Sequence, residues 1–462
     1  MLYKLVVVCA ACLLYHQVSQ ASDTTAAIQG GYARTLALGG GPANYFLNDY
    51  TDLYINPAYI GQYSNLVSVE LGTGFSSGSG FSTTNQFYGA SFALEKVTLG
   101  LTVGKREGPM FSENSYGYQT GGYYSACDYM KSALDSYLQN ILVQSSSEPL
   151  TPLQLIAGFT LGNASIGIAL YESAWSREDD GTGTVSQGRK CSAALSQYGI
   201  KAGVLYPLNE ITTLDLAGCF RLNHASSDYS DNNTNAPIVE SSFSATGYEL
   251  SLVGRVFHKI SPKLSIVPIA RAELFFYDPE VTSKPQSNYL LPLPNSYSKW
   301  ECELGAGLQS RWENGLAVMG LSIQYITLKN DVVSYNGIIH QTTRYTRSWF
   351  DLPKINAGVE YAAVKWLLLR AGFFKRISMQ RTRIEPPSPL PSIESNITVE
   401  PGFVPSFGLS SSEQAVSLGV GIVINQFVLN GYLAEQMLGK GIYLLSGMQQ
   451  NIFGVVSLNY HF

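Results

Sequence analysis

The stretch that decides the fold reads TPLQLIAGFTLGNASIGIAL and occupies residues 151–170. In its first half, apolar side chains at every second position alternate with mostly small or polar ones. The same alternation returns after the turn Gly162-Asn163. A period of two residues is that of a β-strand with one apolar face. The stretch therefore predicts a hairpin made of two such strands.

The same alternation recurs along the chain, for example in residues 97–103, 316–325 and 416–422, with Gly, Ser, Thr and scattered charges on the second face. The strands of a soluble β-sandwich show the same alternation, so the lengths of the connections must distinguish a sandwich from a membrane barrel. Short turns such as Glu313-Asn314 alternate with long polar connections near residues 105–150, 172–195, 221–245, 277–298, 326–352 and 376–414. Short turns at one end and long loops at the other are typical of an outer-membrane barrel. We predict an all-β, transmembrane antiparallel β-barrel of 14–16 strands.

The composition agrees with this class and excludes others. Of the 462 residues only 14% are charged, against roughly 25% in an ordinary soluble domain. Mean hydropathy is +0.04, and beyond the N-terminus no run of about 18 apolar residues predicts a spanning helix. The net charge of −5 argues against a nucleic-acid partner, because phosphate binding needs a basic surface.

The N-terminus predicts secretion. Lys4 is followed by an apolar run over residues 5–15 and by Ser19-Gln20-Ala21, which is the pattern of a signal peptide cleaved after Ala21. A buried strand or helix is the alternative interpretation. Cleavage leaves four cysteines, for which three disulfide pairings stay open: Cys127, Cys191, Cys219 and Cys302.

The last strand, residues 452–462, places Tyr460 and Phe462 on one face and ends on Phe462. It resembles the terminal strand by which bacterial outer-membrane proteins are recognised for insertion. We therefore expect this protein in the outer membrane of a Gram-negative-type bacterium. Its expected partners are the lipids of that membrane and the outer-membrane assembly machinery.

Residues 22–61 precede the first convincing strand and differ from the barrel pattern, so we divide the chain into a signal peptide (1–21), this segment and a barrel (62–462). An irregular periplasmic tail is one interpretation, and a plug inside the lumen is the other. The residues that mark the segment are Leu38, Gly39, Gly40, Asp52, Asn56, Pro57 and Ala58.

These marker residues, in this order before the first strand, resemble the N-terminal hatch of the FadL-like outer-membrane family. That family includes long-chain fatty-acid and hydrocarbon transporters and the PorV-like proteins of type IX secretion. The resemblance implies a monomeric barrel, usually of fourteen strands, whose N-terminal residues plug the lumen. It also implies one of two functions. The first is passive uptake of hydrophobic small molecules such as long-chain fatty acids, and the second is a non-transporting role beside a secretion or surface-anchoring system.

Charged residues on the inward face of the predicted strands form a second candidate set, because a charge facing lipid costs about 2–4 kcal/mol at mid-depth. We expect mutual ion pairing, with a substrate path as the alternative, for Asp215, Glu249, Arg255, Arg271, Glu273, Glu301, Glu303, Arg311 and Arg370.

The connection 105–150 contains a helical stripe between Cys127 and Val143. Its apolar residues are Met130, Leu134, Tyr137, Leu138 and Ile141. The stripe predicts either a helix that covers the barrel or one whose apolar face receives a hydrophobic ligand.

Catalytic and cofactor patterns are weak throughout the chain. No Gly-x-Ser-x-Gly elbow with partner residues is present, and the glycines at 39–41 lack the Lys-Ser/Thr of a phosphate loop. The histidines and cysteines show no metal-ligand spacing. We therefore expect no enzyme, no cofactor and no metal.

Overall fold

The structure is a computed structural model. It describes residues 30–39, 44–72, 87–105, 151–179, 189–231, 239–284, 296–335, 340–385, 393–399, 414–433 and 453–462. The predicted signal peptide, Gly40, Cys127 and the whole predicted loop helix, from Met130 to Ile141, lie outside these ranges.

Seventeen strands form one antiparallel sheet among the described residues. They are β1 (Leu66–Gly72), β2 (Phe87–Leu94), β3 (Val97–Val103), β4 (Thr151–Leu161), β5 (Ala164–Asp179), β6 (Arg189–Asn209), β7 (Thr212–Asp231), β8 (Val239–Ser261), β9 (Leu264–Lys284), β10 (Ser296–Trp312), β11 (Gly315–Tyr335), β12 (His340–Val364), β13 (Leu367–Glu385), β14 (Ile393–Val399), β15 (Gln414–Ile424), β16 (Phe427–Leu433) and β17 (Phe453–His461).

Sixteen of these strands close the barrel. Each pairs with its neighbour in sequence, and β17 pairs with β1 from Leu66 opposite His461 to Gly72 opposite Val455. The remaining strand, β14, pairs with the outer half of β13, whereas β15 pairs with its inner half. The predicted fold class is confirmed, and the strand number is sixteen.

The two faces of the wall have opposite chemistry. Outward side chains are apolar and exposed, as Leu155, Leu252 and Leu304 illustrate, with exposed fractions of 52%, 54% and 64%. Such a surface is suited to lipid. The alternating inward positions are largely buried, and most of them are small, polar or charged, with apolar side chains among them. A closed ring also pairs every strand edge, which a bilayer requires.

The connections near 172–195, 221–245, 277–298 and 326–352 were predicted as long loops, and this was wrong. They consist largely of strand, and the longest strands, β8 and β12, contain 23 and 25 residues. A strand of about 9–11 residues already crosses a bilayer. The Thr, Tyr and Val residues beyond it are good strand formers, so the hairpins continue outward as a paired wall on the side of β6–β13.

Residues 30–39 and 44–63, which we call the N-terminal segment, lie against the inward face of the wall. The segment contains helix α1 (Tyr32–Ala37) and two 3-10 helices, Tyr50–Tyr54 and Pro57–Gly61. None of the helices in the described part of the chain is long and apolar enough to cross a membrane.

Both 3-10 helices begin at a capping residue. Asp49 accepts a hydrogen bond from the Thr51 N–H at 3.1 Å, and the Asp52 carboxylate accepts one from the Asp49 N–H at 3.0 Å. Asn56 caps the second helix through Ala58 N–H at 2.9 Å, with Pro57 in the first turn. The motif Asn56-Pro57-Ala58 therefore starts a short 3-10 helix, and β1 follows at Leu66.

The C-terminal residues close the ring near the periplasmic end. The Phe462 N–H donates to the Asn65 carbonyl at 3.0 Å. The Tyr460 ring stacks on Phe427 with ring centroids 4.4 Å apart, and Phe462 contacts Phe92 at 5.6 Å.

Cys219 and Cys302 carry free thiols on β7 and β10. Cys219 is buried on the inward face, whereas Cys302 lies on the outward face beside the inward Glu301. Cys191 lies on β6.

Candidate functional site in the lumen

Glycines on the inward face of the wall form the cradle for the N-terminal segment. A Cβ added at any of nine glycines would lie 2.5 Å or less from an atom of the segment. The glycines are Gly100, Gly158, Gly167, Gly203, Gly307, Gly320, Gly358, Gly372 and Gly419. Because real Cβ contacts are longer than this, any side chain here would force the segment away from the wall.

Apolar packing fills the space between the segment and the wall. Phe46 lies over Gly307 and Gly320, and belongs to a buried cluster with Ile55 and Val253. A second cluster joins Tyr54 and other residues of the 3-10 helices to residues of β1, β2 and β4–β6. The inward apolar residues of these two clusters are thus explained by contact with the segment, which an open water-filled pore would not provide.

One ion-pair group, the Arg34 anchor, ties helix α1 to β12 and β13. The Arg34 guanidinium contacts the Asp49 carboxylate at 2.6 Å and the Glu360 carboxylate at 2.8 Å. Arg370 contacts the same Glu360 at 2.6 Å. Two cations thus meet two carboxylates. Burial disfavours the Arg34 cation, but Glu360 and Asp49 outweigh burial and hold the pKa of Arg34 above its ordinary value.

A second group, the Arg255 anchor, ties the 3-10 helices to β7 and β8. Arg255 contacts Asp52 at 2.7 Å and donates to Asp215 from Nε at 2.7 Å. Asn56 and Tyr59 also donate to Asp215, at 2.6 and 3.0 Å. Here one cation serves two carboxylates.

The excess of carboxylates over cations at the Arg255 anchor affects the pKa of Asp52. Burial raises the pKa of this carboxyl to about 7 from an ordinary value of 3.8, although Arg255 opposes the shift and nearby Asp215 adds to it. A carboxyl that is buried beside a second carboxylate favours its neutral form. At neutral pH, the Arg255 anchor therefore sits close to a protonation equilibrium.

Above the anchors, a band of ion pairs lines β7–β13. Arg271 contacts Glu301 and Glu303, each at 2.6 Å. Lys299 contacts Glu273 at 2.9 Å and Glu301 at 2.6 Å. The remaining pairs are Arg221–Glu249, Lys354–Glu303 and Arg376–Asp351. The five cations and five carboxylates of this band balance one another, so it stiffens the wall without adding net charge.

The wall of β2–β5 is different. Among the buried side chains that the structure describes on these four strands, none is charged: they are Phe87, Ser91, Thr102, Pro152, Gln154, Ile156, Ala169, Tyr171 and Ser173. We call this part of the wall the charge-free arc.

A third layer, the upper apolar band, lies farther from the periplasmic turns than the buried charged or amide side chains on the same strands. It consists of the buried residues Ala193, Leu195, Ala225, Phe243, Ala245, Phe275, Tyr277, Ile326 and Trp349. This band borders the charge-free arc at β6, so the lumen wall offers an uncharged surface beside the ion pairs, with both apolar and polar side chains.

Of the nine predicted lumen charges, the structure buries eight and places each of them in an ion pair. These are Asp215, Glu249, Arg255, Arg271, Glu273, Glu301, Glu303 and Arg370. Arg311 shares their face but lies exposed one residue from the end of β10, because the wall ends there.

Six of the seven predicted segment residues lie in the part of the chain that the structure describes. Asp52, Asn56, Pro57 and Ala58 lie at the wall contact described above, and Leu38 and Gly39 touch β12 and β13 at Gly358 and Gly372. Sequence reasoning missed Arg34, Asp49 and Glu360. Glu360 carries the period-two signal that identified the other charges, whereas Arg34 and Asp49 lie in a segment without periodicity.

In the part of the chain that the structure describes, no group of three or more His, Cys, Asp or Glu side chains is placed to hold a metal ion.

Comparisons with known proteins add similarities of architecture. No protein-family model matches the chain, and no curated protein matches it. Among solved structures, the toluene transporter TbuX of Ralstonia pickettii is 10% identical, with a TM-score of 0.36 over 94% of this chain and 99% of that one. The deltaS2S3 mutant of the monoaromatic hydrocarbon channel TodX is 12% identical, with a TM-score of 0.34 over 94% and 99%. The monoaromatic hydrocarbon channel CymD is 11% identical, with a TM-score of 0.34 over 94% and 98%.

Proposed function

We propose that this protein is a monomeric outer-membrane channel for passive uptake of hydrophobic small molecules. The observation that carries the proposal is the division of the lumen wall into an ion-paired part on β7–β13 and the charge-free arc on β2–β5. A general porin would need neither apolar inward side chains nor a tightly packed segment across its lumen. A channel for apolar ligands needs both a dry surface and a barrier to water.

The proposed route begins at the upper apolar band and descends along the charge-free arc. It then reaches the N-terminal segment at the cluster containing Tyr54, Ile60 and Ile156. On the opposite side, the two anchors hold the segment to β7, β8, β12 and β13. Movement of the segment away from the charge-free arc would therefore open a passage without breaking either anchor.

Long-chain fatty acids are the ligand class that we favour within this proposal. Their chain suits the apolar surface, and their carboxylate needs a cation. The Lys105 ammonium lies 4.8 Å from the centroid of the Tyr54 ring, next to the charge-free arc. A fatty-acid carboxylate could approach this cation while its chain stays on the apolar surface.

The proposal is tested by adding one charge to each part of the wall. Gln154 on the charge-free arc and Asn356 on β12 are both buried, at 2% and 6% exposure. Gln154→Glu and Asn356→Asp are each nearly isosteric and add the same charge. We expect Gln154→Glu to reduce uptake of a fluorescent long-chain fatty acid by cells about tenfold, whereas Asn356→Asp changes it less than twofold.

Mass spectrometry of lipophilic molecules that co-purify after detergent exchange provides the second measurement. The wild type should retain a ligand that Gln154→Glu loses. Equal uptake by both variants, or a wild type without ligand that is repeatedly crosslinked to one secretion-system protein, would contradict the transport proposal.

A further inference from the structure

The outward surface beyond the bilayer is divided by charge, independently of the lumen. Beyond the bilayer on β11–β13, four basic side chains point outward, together with two acidic ones. They are Lys329, Arg344, Arg381 and Arg383, with Asp331 and Glu385. We call this surface the outer basic face.

On the opposite surface, on β5–β9, the side chains that the structure describes carry the reverse charge. Its described outward charges at and beyond the membrane boundary are all acidic and exposed: Glu172, Glu178, Asp228, Asp278 and Glu280. We call this the outer acidic face. The two faces share the same Ser- and Thr-rich background, so the sign of the charge is what distinguishes them.

The height of the basic face follows from the aromatic residues below it. Trp300 and Tyr325 point outward with ring centroids 5.5 Å apart, and Tyr325 pairs in register with Phe350. Such aromatic belts sit at the level of the lipid headgroups. Lys329 follows Tyr325 by four residues on β11, which places it about 13 Å farther along the strand.

Arg381 also lies beyond the belt on β13, but nearer to it than Lys329. Phe350 pairs with Met379, and Arg381 pairs with Ser348 one step farther from the membrane. Arg381 is therefore about 7 Å beyond the belt. Neighbouring strands are about 4.8 Å apart, and Arg381 is two residues lower than the position level with Lys329, so the Cα atoms of Lys329 and Arg381 are about 12 Å apart.

Part of the basic face is already organised by ion pairs. Arg344 holds Asp331 through two 2.7 Å contacts, and Arg383 contacts Glu385 at 3.2 Å. These side chains remain about half exposed, with Arg344 at 51% and Arg383 at 48%. The basic residues still outnumber the acidic ones on this face, so it attracts anions.

We propose that the outer basic face binds the phosphates of lipopolysaccharide in the outer leaflet, and that the outer acidic face does not. Lipopolysaccharide is the phosphorylated glycolipid whose phosphates lie just outside the hydrocarbon layer. Guanidinium groups bind phosphate in a bidentate manner, and an ammonium binds it as a point charge. This contact would fix the orientation of the tall β11–β13 wall against its surrounding lipid.

The test uses the purified full-length protein in detergent and measures its affinity for deep-rough lipopolysaccharide by native mass spectrometry. The basic-face variant is Lys329→Gln with Arg381→Gln, and the matched control is Asp278→Asn with Glu280→Gln. Each cation near an anionic surface contributes about fivefold in affinity. We expect the basic-face variant to bind roughly 25-fold more weakly and the control to bind as the wild type or more tightly.

A second arm changes the lipid and leaves the protein intact. The wild type should bind the same lipid after enzymatic removal of its phosphates at least tenfold more weakly. Equal affinity for both lipids, or an equal loss of affinity in the basic and acidic variants, would overturn the proposal. Unfolded protein is recognised by loss of the heat-dependent shift on a gel, and the lipid arm does not depend on any variant.

Discussion

Both anchors hold the N-terminal segment to the barrel wall, but they differ in the balance between cations and carboxylates. The Arg34 anchor combines Arg34 and Arg370 with Asp49 and Glu360, whereas the Arg255 anchor gives one cation to Asp52 and Asp215. In a low-dielectric interior, an unmatched charge costs far more than a matched one. The Arg34 anchor should therefore hold the segment at every pH near neutrality. The Arg255 anchor should lose less stability when one of its carboxylates is removed, and its strength should change with pH.

The largest expected effect comes from breaking the balanced anchor. Glu360→Ala leaves Arg34 and Arg370 buried without the carboxylate that they share, which should cost about 3–5 kcal/mol. Asp215→Ala, in contrast, leaves Arg255 with Asp52 as a balanced pair and should cost about 1–3 kcal/mol, mainly through lost hydrogen bonds. Protease cleavage within residues 30–63 of the folded barrel measures both. Equal susceptibility of the two variants would remove the distinction between the anchors.

A steric change between the anchors should have an intermediate effect. Gly320→Ala would bring a Cβ within 2.0 Å of the Phe46 ring, and such overpacking costs about 1–3 kcal/mol. Adding Phe46→Ala removes the atoms that clash, so the double variant should regain part of the loss. Thermal unfolding of the three proteins checks this. If the double variant loses more stability than the two single variants lose together, the clash with Phe46 is not the cause of the effect of Gly320→Ala.

Docking of the N-terminal segment should depend on pH through the Arg255 anchor. The pKa of Asp52 is near 7 when the segment is docked and near 3.8 as its ordinary value, so docking favours the protonated form. The stabilisation that this group gives to the docked segment is complete below its ordinary pKa and is lost as pH rises through 7. Docking should be weaker by about 1 kcal/mol at pH 8 than at pH 6.

The same protease assay, run from pH 6 to pH 8, measures this change. Asp52→Asn cannot titrate, so its cleavage rate should lack this dependence, and Glu360→Ala should keep it. A wild-type rate that is constant over this range would contradict the assignment to Asp52.

The smallest effect is expected at the periplasmic rim. Arg311 shares the inward face of the buried charges but is exposed, and the structure gives it none of the short ion pairs seen in the anchors. Arg311→Ala should therefore change barrel stability by less than about 0.5 kcal/mol. A loss as large as that of Asp215→Ala, measured by thermal unfolding, would mean that Arg311 contributes to closing the lumen.

The period-two pattern predicted the wall because each strand faces lipid on one side only. Leu155 and Leu304 alternate with Gln154 and Glu303 for this reason, and the same rule placed Glu249 and Arg271 inside. The pattern could not tell where the bilayer ends, because the alternation continues in water with Ser and Thr. It therefore misassigned the outer halves of β8 and β12 as loops.

The anchors were harder to predict, because they join residues that are far apart in sequence. Arg34 and Glu360 are separated by 326 positions, and nothing periodic surrounds Arg34. The inward glycines carried a signal that was visible but unused. Gly307, Gly320 and Gly358 interrupt otherwise larger inward side chains, which indicates that another part of the chain approaches the wall there.

The central claim is that the N-terminal segment closes the lumen. Single-channel conductance in planar bilayers tests it most directly, with the wild type compared with a chain that lacks residues 24–50 and still shows the heat-dependent shift on a gel. Removing these residues takes away Arg34, Phe46 and Asp49, and with them one whole anchor and the packing on β10 and β11. We predict a closed wild type and a variant with large, stable conductance steps. Equal conductance of the two proteins would contradict the account.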